Sequence, residues 1–321
     1  MALPGTLSSS LRLPLIGAPM FIVSVPDLVV AQCTAGIIGS FPALNARPQE
    51  QLDAWLVEIK QRLAVFSAEH PDRPVAPYAV NQIVHASNDR LMADMETCIK
   101  HEVPIIITSL RPPGEVVDAV HSYGGMVFHD VISLRHARKA MEQGVDGIIA
   151  VCAGAGGHAG TLSPFALVKE IRKEFDGVLI LSGAMSSGND VVAALAMGAD
   201  LAYFGTRFIA TREANAPDDY KNMIVSSAAA DIVYTPLFTG VHGSYMRASI
   251  ENAGLDPDNL DDSRKKAMDF GSGGDSDKKA WRDIWSAGQG IGSIDEVLST
   301  HQLVDRLELE FNETKARVAR A

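Results

Sequence analysis

Short runs of apolar and β-branched residues recur along the first two-thirds of the chain, each bounded by glycine, proline or polar residues. They cover residues 13–18, 36–40, 78–81, 104–108, 126–129, 147–151, 178–182 and 201–204, and read as eight strands. The runs lack the polar alternation of a half-exposed sheet, so both faces of the sheet are expected to be covered. Between them lie stretches with helical periodicity, at 49–66, 88–101, 114–123, 134–143, 165–175 and 190–197. Strand alternating with helix gives a parallel sheet. Eight such units favour an α/β fold closed into a (β/α)8 TIM barrel, with an open doubly wound sheet as the alternative that counting alone leaves standing.

Helix ends support this reading. Ser163-Pro164 offers a capping hydroxyl followed by proline at the first helical position, and Gly144 and Gly198 stand just past apolar-periodic segments, where helices often terminate. After Thr211 the pattern changes. A helix-like stretch at 219–230 precedes a polar, acidic stretch at 256–279 that contains Gly271-Ser-Gly-Gly274, and no strand series continues. The expected organisation is a barrel over 1–214, a helical region over 215–290 capping the carboxyl face of the barrel, and a C-terminal helix over 291–321 packing back on it. The aromatic set Tyr234, Phe238, His242 and Tyr245 within the capping region reads first as core and second as pocket lining.

Composition narrows the classes. The 321 residues are 47% hydrophobic and 21% charged, as in ordinary globular proteins. Net charge is −11, and no Lys/Arg-rich block is available for phosphates or anionic lipid, which argues against nucleic-acid and membrane partners. The start of the chain lacks a secretory pattern and no apolar run reaches the ~18 residues of a membrane span, so a cytoplasmic protein is expected. Cys33, Cys98 and Cys152 are odd in number and far apart, which predicts buried free thiols and no thiolate metal site; no His/carboxylate spacing suggests a metal either.

In a barrel the chemistry gathers at the carboxyl ends of the strands. The sixth strand runs into Cys152-Ala-Gly-Ala-Gly-Gly-His-Ala-Gly160, whose small residues permit close backbone approach to a ligand and leave one side chain for acid–base work, His158. Taken alone a histidine is more often packed or solvated than catalytic; the glycine-lined strand-end position reverses that order. His129, also at a strand end, is left evenly balanced. The seventh strand ends in Ser182-Gly-Ala184 and the eighth in Gly205-Thr206, glycines and hydroxyls where barrels often hold a phosphate, so a phosphorylated ligand is expected. Neither the dinucleotide G-x-G-x-x-G spacing nor a P-loop occurs, and there is no G-x-S-x-G elbow; Asp269-Phe-Gly271 lacks the other kinase motifs. Trp285-Ser-Ala-Gly-Gln-Gly-Ile-Gly292 is a second glycine-rich segment, equally readable as hinge or ligand contact.

Taken together, Pro14-Leu-Ile-Gly-Ala-Pro-Met20, the Asn81 strand end, Ala155-Gly-Gly-His-Ala-Gly160, Leu181-Ser-Gly-Ala184, Gly198-Ala-Asp-Leu-Ala-Tyr-Phe-Gly-Thr-Arg-Phe208 and the 285–292 segment resemble the nitronate monooxygenase family, formerly called 2-nitropropane dioxygenases. The resemblance spans nearly the whole chain. It implies an FMN-dependent TIM-barrel monooxygenase in which His158 is the active-site base. The flavin phosphate would lie near Ser182, Gly183, Gly205 and Thr206, and the isoalloxazine ring near Ala18, Pro19, Met20 and Asn81. Further FMN contacts are expected at Ala153, Gly156, Gly157, Ala184, Gln289 and Gly290. The implied activity is oxidative denitrification of alkyl nitronates, or of nitroalkanes, with O2 to a carbonyl compound and nitrite, with a homodimer as the compatible assembly. The chain departs from many members at Ala159, where they carry Arg, at His129-Asp130, where several carry Lys, and at Ala184, where Gly is more frequent. The same Gly-Gly-His loop occurs in flavin-dependent enoyl-acyl-carrier-protein reductases and NAD(P)H:quinone reductases, so an NAD(P)H-dependent flavin reductase acting on an enoyl thioester or quinone is the alternative.

Overall fold

A computed structural model of the chain describes residues 3–260 and 284–320. Eight parallel strands form the barrel: β1 (Leu15–Gly17), β2 (Gly39–Pro42), β3 (Tyr78–Val84), β4 (Ile105–Leu110), β5 (Met126–Val131), β6 (Gly147–Val151), β8 (Val178–Ser182) and β9 (Leu201–Phe204). β7 is a two-residue strand, Gly157–His158, outside the barrel. The hydrogen-bonded order runs β1-β9-β8-β6-β5-β4-β3-β2. Closure comes from a parallel bridge between Ile16 and Ile38, where Gly17 N donates to Ile38 O at 2.8 Å and Ile38 N to Leu15 O at 3.1 Å. The barrel expected from strand counting is therefore present.

Helices α2 (Pro26–Thr34), α3 (Gln51–Glu69), α4 (Leu91–Lys100), α5 (Gly114–His121), α6 (Leu134–Met141), α7 (Pro164–Arg172) and α8 (Gly188–Met197) cover the outside. Proline stands at the first position of α7, and Gly198 closes α8 at φ 107°, a left-handed conformation that spares the chain the penalty a Cβ would incur. Alternation within each strand sorts side chains into two cores. Val127, Ile106, Ile148, Leu179 and Ala202 pack outward against the helices. Ile105, Ile107, Phe128, Ile149, Ile180 and Leu201 fill the barrel interior, and Leu7, from the short helix α1 (Gly5–Ser8), joins this inner cluster. The three cysteines are buried and unpaired.

The region after β9 departs from the all-helical expectation. It begins with α9 (Thr206–Ile209) and α10 (Asp218–Ser226), but then forms an antiparallel ribbon of β10 (Ile232–Thr235) and β11 (Gly243–Met246), followed by α11 (Arg247–Asn252). β11 pairs with β7, so Gly243 sits opposite His158 and Ser244 opposite Gly157. Each strand has only four residues and depends on non-local partners for its hydrogen bonds, which is why periodicity did not disclose it. The Gly271–Gly274 motif and Asp269-Phe-Gly271 lie outside the described residues. The C-terminal helix Thr300–Val318 is capped by Ser299 and Gln302 and buries Leu303, Val304, Leu307 and Phe311 in the outer core. No helix among the described residues is long and apolar enough to cross a membrane.

Candidate active site

The inner faces of the strands are apolar up to their carboxyl ends, where the last inward positions turn polar: Asn81 on β3, Ser109 on β4, Asp130 on β5, Ser182 on β8 and Tyr203 on β9. These residues floor a cavity of about 680 Å³, within the ~300–1,000 Å³ typical of small-molecule and cofactor sites. Asn215, Tyr220, Phe238, Thr239, Trp285 and Ser286, from beyond the barrel strands, also line it.

Most residues singled out in the sequence converge here. Ala18, Pro19, Met20, Asn81, Gly156, Gly157, His158, Ser182, Gly183, Ala184, Gly205, Thr206 and Gly290 all line the cavity. Ala153 and Gln289 stand behind its wall instead. The Ala153 carbonyl backs Gly183, and Gln289 N donates to Gly154 O at 2.8 Å, tying the 285–292 segment to the loop after β6. Of the four aromatic candidates, Phe238 lines the cavity and stacks edge-on against buried Tyr245, while Tyr234 stacks on His242 and its hydroxyl donates to the Ala159 carbonyl at 2.7 Å. Ala159 itself is buried beneath the ribbon.

The wall at the ends of β8 and β9 is built from neutral groups. The Ser182 hydroxyl has no hydrogen-bond partner among the described residues. Thr206 Oγ1 accepts Gly288 N–H at 2.8 Å, which leaves its own proton for a ligand. Gly183, at φ 137°, passes so close to the loop that a Cβ would meet Ala153 O at 2.9 Å. Among the described residues, three of the four non-glycine positive φ values belong to cavity residues: Ile22 (67°), Leu110 (80°) and Ala184 (53°). Strain of this kind costs about 1–3 kcal/mol each and gathers at ligand sites. Ala184 thus carries a Cβ in a left-handed conformation that glycine would adopt without strain.

His158 is delivered by β7 and anchored by the ribbon. Its Nε2 lies 2.9 Å from Thr239 Oγ1, whose hydroxyl donates to Val241 O at 3.0 Å. With its own proton on Val241 O, Thr239 is an acceptor for Nε2–H, the arrangement that puts the basic lone pair of the neutral ring on Nδ1. Burial pushes the His158 pKa down to about 4, so the imidazole is neutral across the physiological range. His129, the evenly balanced histidine, is 3% exposed and faces the outer layer, where Nδ1 bonds Thr108 Oγ1 at 2.8 Å; burial takes it too to about 4, and its role is structural.

The next residue, Asp130, stood out in the sequence only as part of the His129-Asp130 departure and was not read as a site residue. Strand alternation turns it inward above Phe128, into the cavity, and that two-residue period is the signal that marks it. Ser109 Oγ donates to Asp130 Oδ2 at 2.6 Å while Oδ1 is buried without a hydrogen-bond partner, and burial raises its pKa to about 6.

A family model described as nitronate monooxygenase matches residues 6–310. The chain is 29% identical over 285 residues to a nitronate monooxygenase of Paraburkholderia phytofirmans, with 76% of each chain covered. Among solved structures it resembles a nitroalkane oxidase from Streptomyces ansochromogenes, with a TM-score of 0.75 at 23% identity over 98% of this chain and 100% of that one. It also resembles FabK from Thermotoga maritima, with a TM-score of 0.77 at 22% identity over 98% and 96%. At these identities the two structural likenesses establish a shared fold.

Proposed function

The chain belongs to the nitronate monooxygenase family and is an oxidoreductase, and on that premise we propose that it binds FMN in the barrel mouth and oxidises alkyl nitronates with O2 to a carbonyl compound and nitrite. The observation that carries this reading is the neutral imidazole of His158, held in the same cavity as a wall of neutral phosphate donors. The residues present fit the cofactor. Ser182 has a hydroxyl without a partner among the described residues, Thr206 has a proton to give, and Gly183 and Gly205 leave room for the phosphate to approach the backbone. Ala18, Pro19, Met20 and Asn81 would lie along the ring. When bound there, FMN supplies the one-electron oxidation of the nitronate that O2 then completes.

The chain's own residues do the rest. Thr239 keeps the His158 ring in one tautomer, so Nδ1 can take the carbon-bound proton of a nitroalkane or accept a hydrogen bond from a protonated substrate oxygen. Phe238 and Trp285 narrow the cavity and exclude water. The test is oxygen uptake by FMN-loaded protein given a short alkyl nitronate without NAD(P)H; uptake is expected, and its absence with every short alkyl nitronate sinks the reading.

A second reading is favoured by the apolar mouth. Ile22, Leu110 and Ile132 line the cavity with more than a third of their surface exposed, an arrangement suited to an acyl chain or a quinone ring. An NAD(P)H-dependent reductase acting on an enoyl thioester or quinone would use it, and nicotinamide stacking directly on the flavin needs no dinucleotide fold. Rapid anaerobic bleaching by NADH or NADPH is the result that would put this reading first.

A further inference from the structure

The carboxyl ends of β3, β4 and β5 set Asn81, Ser109 and Asp130 side by side. Asn81 Nδ2 uses both hydrogens, one on Ile107 O at 3.2 Å and one on Ser109 Oγ at 2.9 Å. Ser109 then has a single proton and gives it to Asp130 Oδ2 at 2.6 Å. The direction of the chain is thereby determined. When the carboxyl is neutral its proton belongs on Oδ1, the buried oxygen without a hydrogen-bond partner. Asp130 forms no ion pair among the described residues. From β9 it faces the Tyr203 phenol, whose pKa burial raises well above its ordinary value. On its own strand His129 points into the outer layer. β4 and β6 bring Ser109 and apolar residues, and the remaining charged or titratable groups around the cavity are Arg47, His136 on α6, His158 and Tyr220, whose phenol burial holds neutral. A carboxyl buried with one hydrogen bond and no cation resists ionisation, and its pKa moves up to about 6.

We propose that Asp130 sets the charge of the substrate this cavity accepts, a neutral carboxyl admitting an anionic head group and an ionised carboxyl excluding it. The inference rests on the nitronate reading above, because a nitronate carries that charge whereas a nitroalkane or a thioester does not. Arg47 also lines the cavity, but the group at the end of β5 is an acid, so its ionisation favours anion binding on the acid side and neutral carbon acids on the alkaline side. The effect needs no direct contact. At an effective dielectric near 20, a like charge roughly 7–12 Å away weakens anion binding by roughly ten- to fiftyfold.

Nitrate, a planar anion that stays ionised throughout, is the probe. Titrated calorimetrically into FMN-loaded protein, it should bind at least tenfold more weakly at pH 8 than at pH 5. Asp130→Asn keeps the shape of the side chain and an acceptor for Ser109, and should flatten that dependence. Ser109→Ala removes a donor that favours the ionised carboxyl and should move the midpoint to higher pH. Arg47 and His136 are unchanged in both variants, so whatever slope they contribute remains. The same slope in the wild type and Asp130→Asn overturns the proposal, and so does failure of nitrate to bind at pH 5. An infrared carbonyl stretch from a protonated carboxyl, present at pH 5, lost by pH 8 and missing from Asp130→Asn, reads the group without any ligand. Absence of that band from the wild type at pH 5 overturns the proposal as well. Neither readout involves turnover, so failure of nitronate oxidation and failure of the charge filter are separate results.

Discussion

The two sides of the cavity are built on opposite electrostatic plans. The side formed by the ends of β8 and β9 and the 285–292 segment is backbone and neutral hydroxyl: Ser182, Gly183, Thr206, Gly288 and Gly290. The side formed by β3 to β5 and the β7 loop carries the groups that titrate, Asp130 and His158. A wall of fixed dipoles holds a charged group with little change across pH. A wall of buried acids and bases changes its charge with pH and is suited to proton transfer and discrimination. On the reading proposed above, the division would let one small space hold a permanently charged cofactor and still discriminate among substrates.

That contrast can be broken one side at a time. The largest effect is expected for His158→Ala, which should lower turnover of a nitroalkane by about 10²–10⁴-fold while leaving the FMN content of the purified protein unchanged. A parallel loss of FMN would show that the two sides are not independent. The wild-type profile should carry no His158 limb between pH 5 and 8, because that ring titrates near 4. Next comes Gly183→Val on the neutral side. Its left-handed backbone and a Cβ 2.9 Å from Ala153 O leave no relaxed position for a side chain, and FMN affinity should fall at least about tenfold, read by fluorescence titration of the apoprotein. Thr206→Val removes a single neutral hydrogen bond, about 1 kcal/mol, and should weaken FMN several-fold without shifting any pH midpoint.

The smallest effect is on stability. His129 and His158 are both depressed to about 4, so between the ordinary histidine value of 6.5 and 4 the unfolded chain binds more protons than the folded one. Stability should therefore fall as pH drops through that window and be fully present above it. His129→Gln, which keeps a polar side chain beside Thr108, should soften the fall in melting temperature; an unchanged fall would assign it to other groups.

Much of the site was legible in the sequence because glycine, serine and histidine at strand ends carry a local signal. Ser182-Gly183, Gly205-Thr206 and the loop to His158 needed only the barrel to bring them together. Ala153 and Gln289 share those motifs yet stand behind the wall, since a motif does not say which of its residues faces the ligand. Asp130 was passed over for the opposite reason: reading the fifth strand as ending at His129 stopped one residue short, and alternation turns the histidine out and the carboxylate in. The β10–β11 ribbon was invisible because its pairing with β7 is made between segments distant in the chain, and four-residue strands have too little periodicity of their own to announce it.

The chain by itself determined the barrel and the glycine-rich cradle, because apolar runs covered on both faces have few ways to be buried and a backbone without Cβ atoms lets a ligand come close. Only the tertiary structure decided the state of the acid and base. His158 is neutral and Asp130 reluctant to ionise because both are buried, against the Ser109 hydrogen bond that favours the ionised carboxyl, and burial here is made by residues far apart in sequence. Desolvation is a property of the packed surroundings rather than of the residue, so it is settled by what the fold brings to the site.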